Sequence, residues 1–202
     1  MRSGIVALAS LALAGGIALA GPSSPQVEVT RLARALAALH ADAALYIREV
    51  RPAAAVAGAY MGLVRPGGAD PRLPLDAPVP GRNRRYDLVV FDAPSEGTDV
   101  SAWTLLLLDH EYFHARHMAR GDRMPYPSFP HDAAGRHFHE ALAWGYNLSQ
   151  AAAGQYGALA PERWSEAARR YRHHQDALRA FVQKRQPEAW AYYSRFLPDP
   201  TD

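Results

Sequence analysis

"LLLLDHEYFHARH" occupies residues 105–117 and sets His110, Glu111, His114 and His117 directly after an apolar run. The chain spends only nine histidines over 202 residues, so three of them within eight positions of one segment need a chemical reason. On an α-helix, residues four apart lie on one face about one turn apart, so His110 and His114 can both turn an imidazole toward a single ion. Glu111 then falls beside that ion without ligating it, where a carboxylate can take a proton from water. This is the arrangement of the HExxH pattern. Zinc suits such a donor set because it accepts nitrogen and oxygen ligands and leaves a fourth position open for water.

The same stretch decides the fold. Its apolar run predicts a helix that begins near Asp99 or Ser101, either of which can cap it, and ends near Gly121. Just before it, "YDLVVFD" at 86–92 is rich in β-formers and predicts a strand. After it, "DRMPYPSFPHD" at 122–132 is a proline-punctuated loop, followed by a helix from about Ala133 to Gly154. Pro161 and Pro187 stand at first-turn positions of two last helices. Toward the N-terminus, Leu32, Leu36, Leu39 and Tyr46 recur at helical spacing from Val27 onward, with Arg31, Arg34 and Asp42 between them. Ala53 to Val64 is short and apolar throughout, and fits helix or strand. Residues 65–85 carry five prolines and three glycines and predict irregular surface chain, with Arg65 pressed toward an extended backbone by Pro66. The expected fold class is mainly α with a small β component (α+β), in one domain, because 202 residues make one ordinary core.

The first 20 residues set Arg2 before the apolar run "IVALASLALAGGIALA", with Ala18 and Ala20 at the small positions of a cleavage site. This is the pattern of a secretory signal peptide cleaved after Ala20, leaving a mature chain of residues 21–202 that is secreted or periplasmic. A membrane anchor is the competing reading, but the 16 residues from Ile5 to Ala20 fall short of the roughly 20 needed to span a bilayer. No stable membrane insertion is expected after cleavage. There is no cysteine, so disulfides and thiolate ligands are excluded, and any metal must be held by imidazole and carboxylate. Cleavage would remove Arg2 alone among charged side chains, so the net charge of +2 becomes +1. That balance gives no argument for nucleic acid as a partner.

With "HEYFH" at 110–114 and possible ligands on the next helix, the chain resembles the zincin metallopeptidases, over roughly residues 86–150. Within them it is most similar to the gluzincins, in which a Glu on the following helix completes the site. The resemblance implies a single zincin-like domain in which the HExxH helix is followed by a ligand-bearing helix. It implies one Zn2+ per chain on His110, His114 and Glu140, with Glu111 as general base. Departures are visible too: His117 and Arg120 stand where the metzincin pattern has Gly and His, and Trp144 stands where the fuller gluzincin pattern has an acidic residue. "HDAAG" lacks the Gly-Thr pair of an aspartate-ligated zincin.

The residues by themselves leave the third ligand open. If Ala141, Trp144, Leu148 and Ala151 form the buried face of their helix, His137 points near its centre, Glu140 about 60° to one side, and His139 away. His137 and Glu140 therefore compete, with His131 and Asp132 in the preceding loop as further candidates. His117 sits too far along the helix to share the ion and reads as solvated or as a support for the ligands; Asp109 is expected to face away. His131, Tyr171, His173 and His174 are candidates for stabilising an oxyanion, against core packing for Tyr171 and a solvated polar face for the rest.

The expected function is that of an exported zinc metallopeptidase acting on peptide or protein substrates, with a zinc-bound water and Glu111 as base. Two alternatives belong to other classes. One is an exported non-catalytic metal-binding or inhibitory protein on the same scaffold. The other is a carboxylate-bridged two-metal helical protein, since "EYFH" is also Glu-x-x-His; that class needs a second Glu-x-x-His, and no other glutamate here has His three residues on.

Overall fold

A computed structural model describes residues 25–53, 60–64, 85–91, 100–120, 133–185 and 189–197. The leader expected at 1–20, the irregular stretch at 65–84, the loop with His131 and Asp132, and Pro187 lie outside the described residues. The chain is mainly helical with one small sheet. In order it forms α1 (Pro25–Leu39), a 3-10 turn (Ala43–Leu45), β1 (Ile47–Pro52), β2 (Met61–Val64), β3 (Tyr86–Val90), α2 (Ala102–Arg120), α3 (Ala133–Ala152), α4 (Pro161–Arg185), α5 (Ala189–Tyr193) and a last 3-10 turn (Ser194–Phe196).

The strand read from "YDLVVFD" is the centre of the sheet, whose order is β1-β3-β2. β3 runs parallel to β1 and antiparallel to β2. All five of its residues are buried, as expected of a strand covered on both faces. One of them is Asp87, whose charge is met by a two-pronged contact from Arg48 at 2.7 Å to each oxygen and by Arg51 at 3.3 Å. The segment that fitted helix or strand contributes β2, a fully buried strand.

α2 is buried on most of its sides, polar residues such as Thr104, Asp109, His110 and His117 included, and lies at the centre of the fold rather than on its surface. Trp103, Leu106, Leu107, Leu108, Tyr112 and Ala115 join one core with Leu32 and Leu36 of α1, the sheet residues Leu63 and Leu88, and Trp144 and Leu148 of α3. Phe113, on another side of the same helix, joins a second core with Phe138 and Leu142 of α3 and Leu178 and Val182 of α4. Each fully buried Leu contributes about 1.5–3 kcal/mol through removal of its surface from water. Ser101 starts α2: its Oγ accepts from the Thr104 backbone N–H at 3.2 Å, a cap typically contributing about 1 kcal/mol.

Other boundaries follow from local chemistry. α1 stops at Leu39, so Tyr46 lies beyond the helix it was expected to extend, after the 3-10 turn, and stands edge-on to Tyr112. α3 stops at Ala152, and Gly154 takes φ +78°, a left-handed conformation that glycine adopts without steric penalty. Pro161 opens α4, which packs along α3 more extensively than any other helix pair among the described residues.

Candidate metal centre

The HExxH segment lies within α2 as its spacing predicted, and α3 returns alongside it. Three donor atoms from the two helices, one each from His110, His114 and Glu140, lie within 4.8 Å of one another. The Nε2 atoms of His110 and His114 are 3.1 Å apart. Glu140 sets Oε2 3.3 Å from the first and Oε1 3.5 Å from the second. Burial opposes ionisation of Glu140, but the imidazoles of His114 and His110 outweigh it and hold the carboxyl well below the ordinary range. A carboxylate that stays ionised between two imidazoles is a suitable donor set for a divalent cation.

Whether the donors are in the right protonation state depends on what holds them. Asp109, beside His110 in sequence, is buried, and its carboxylate accepts a bond from the Tyr156 hydroxyl and another from His40 Nε2 at 2.7 Å. Burial, with the Asp109 charge next to it, pushes the Tyr156 hydroxyl far up, so it remains a donor. Having given its proton to Asp109, the Tyr156 oxygen accepts from Asn147 Nδ2 at 3.1 Å. That contact turns Asn147 Oδ1 toward His110, 3.0 Å from Nδ1. A carbonyl oxygen can only accept, so His110 donates from Nδ1 to Asn147, and Nε2 is the nitrogen left facing His114 and Glu140. Trp144 packs on the same ring at 4.3 Å between centroids, and the Arg170 guanidinium lies over the Trp144 ring at 5.3 Å.

Glu111 is half-buried beside the group. Burial, increased by the Glu140 charge and reduced by His114, lifts its carboxyl from 4.5 to about 7. A carboxyl poised near neutrality can both take and return a proton.

The competition between His137 and Glu140 resolves in favour of Glu140 as a member of the group. His137 turns to α4 instead, with Nδ1 2.9 Å from Nδ1 of His174. His117 is buried and packs edge-on against His139 and Phe113, so its solvated reading is corrected. Burial drives its imidazole down to about 3. Tyr171 is core, as the plainer reading had it, and His173 is exposed. His174 is half-buried rather than part of a solvated face. Asn147, Tyr156 and His40 were not singled out from sequence. Asn147 had a legible signal: it is a polar residue seven positions after Glu140, within the apolar stripe of α3.

The chain matches no known protein family, no characterised protein and no solved structure.

Proposed function

We propose that the chain is a zinc-dependent peptidase. The observation that carries this reading is the convergence of His110, His114 and Glu140 on one point with Glu111 beside it, its carboxyl raised to about 7. The donor set fits zinc: two imidazoles and one carboxylate leave a position for water or substrate. The ion, when bound, supplies a Lewis acid that makes water more acidic and polarises a carbonyl.

The remaining steps belong to the protein. Glu111 takes a proton from the attacking water as its oxygen bonds to the scissile carbonyl carbon. As the carbon–nitrogen bond breaks, the same carboxyl delivers that proton to the leaving amine, so the base is regenerated. Asn147 engages Nδ1 of His110 and so keeps Nε2 aimed at the site throughout. We further propose export, with a mature chain beginning at or near Gly21; an intact Met1 on the native protein, by mass spectrometry, would overturn that.

The test is Glu111→Gln, which preserves size and removes the proton acceptor. Elemental analysis should find zinc in parent and variant alike, while cleavage of a mixed peptide library should fall by orders of magnitude. A variant as active as the parent overturns the role of Glu111, and a parent that takes up no zinc overturns the whole reading.

A further inference from the structure

Beyond the His110, His114 and Glu140 group, the described residues hold another convergence of imidazoles that the proposed chemistry does not use. His137 lies one turn before Glu140 on α3, and its Nδ1 meets Nδ1 of His174 on α4 at 2.9 Å. His173 stands beside them, its ring centroid 5.1 Å from that of His174 and 6.0 Å from that of His137. This differs from the His117 and His139 pair, whose rings meet edge to face at 79° inside the protein.

Two imidazoles joined Nδ1 to Nδ1 share a single proton, since one nitrogen donates and the other accepts. Moving that proton to Nε2 of the donor ring leaves two lone pairs facing each other. Metal–nitrogen bonds of about 2.0–2.1 Å place two ligand nitrogens about 3.3 Å apart at the tetrahedral angle, and about 2.9 Å apart at a right angle. The observed separation therefore needs an opening of a few tenths of an ångström at most. Burial holds both His137 and His174 below their ordinary value, His174 at about 4, so at neutral pH a cation meets neutral rings and has only the shared proton to shift. His173, beside the pair, is exposed, so water can reach this side to complete the coordination. α3 and α4 are already packed along their length, so little ordering has to accompany binding.

We propose that His137 and His174 form a second metal site, completed by water, that takes a divalent ion favouring imidazole, such as copper(II), nickel(II) or zinc(II). The ion clamps α3 to α4 one turn from Glu140. With two protein ligands against three, this site is the weaker of the two and fills second. It does not depend on the chain being a peptidase.

The test titrates the metal-free full-length chain with copper(II) by calorimetry, alongside His137→Phe, His174→Phe and Glu140→Ala. The parent should show two classes of site. Each Phe variant should lose the weaker class and keep the tighter, and Glu140→Ala should do the reverse. A parent with a single class, or a weaker class that persists in both Phe variants, overturns the proposal. If circular dichroism shows that the Phe substitutions cost helix, His174→Gln decides: it keeps a hydrogen-bonding group at the position, and retention of the weaker class there overturns the proposal equally.

Discussion

Asn147 on α3 and His110 on α2 are 37 residues apart in sequence and 3.0 Å apart through Oδ1 and Nδ1. The contact is the last of a series that begins at the half-buried His40 and passes through the buried Asp109 and Tyr156. Its effect is to decide which nitrogen of His110 is free. Asn147→Ala should weaken metal affinity by roughly 10- to 100-fold and cost about 1–3 kcal/mol through the unpaired donor left in the core. Chelator competition and denaturant unfolding measure the two effects separately.

Glu140→Ala removes a donor itself rather than its support. Under the same chelator challenge it should lose the tightly bound metal outright, whereas His137→Ala should keep it. If the two variants behave the other way round, His137 is the third ligand and the site is a three-histidine one.

The buried His117 gives a pH dependence with a definite sign. Its ordinary value is 6.5 and burial lowers it to about 3. Above pH 6.5 both folded and unfolded chains hold it neutral and it contributes nothing. Below that, the unfolded chain takes up a proton that the folded chain refuses, so stability falls as pH drops from 6.5 toward 3, by up to about 1.4 kcal/mol per pH unit. His117→Phe should flatten that slope in denaturant unfolding of the metal-free protein. An unchanged slope would show that another group sets the acid limit.

Phe138 is fully buried between α2 and α4 in the second core. Phe138→Ala should cost about 3–5 kcal/mol, while an exposed position on the same helix, Ser149→Ala, should change stability by less than about 0.5 kcal/mol. Thermal unfolding separates the two outcomes readily.

How far sequence carried this fold depended on the range of the interactions. Helix α2, its Ser101 cap, the β3 strand, the end of α3 near Gly154 and the Pro161 start of α4 are set by residues within a few positions of one another, and each was legible. The pairing of Glu140 with His110 and His114 was one of several possibilities, because a helical wheel gives direction but not the rotation of a neighbouring helix. The series from His40 to Asn147 was not legible, since it joins the residue just after α1, α2, α3 and the turn after α3. Only tertiary packing brings those four segments together. The solvated reading of His117 failed for a related reason: its distance along α2 from His110 says nothing of the phenyl and imidazole rings it packs against.

Trp144 stands where the resemblance called for an acid, with its ring face 4.3 Å from His110 by centroid. An indole held against a ligand imidazole makes the protein an optical indicator of its own loading. Binding a cation at His110 changes the electronic character of the ring that Trp144 touches, and the emission of that tryptophan should change with it. Trp103 is stacked on Trp144 at 6.2 Å and can relay part of the response. Metal uptake is thus open to stopped-flow fluorescence on the unlabelled chain, before any substrate is in hand; Trp144→Phe should silence the signal without emptying the site.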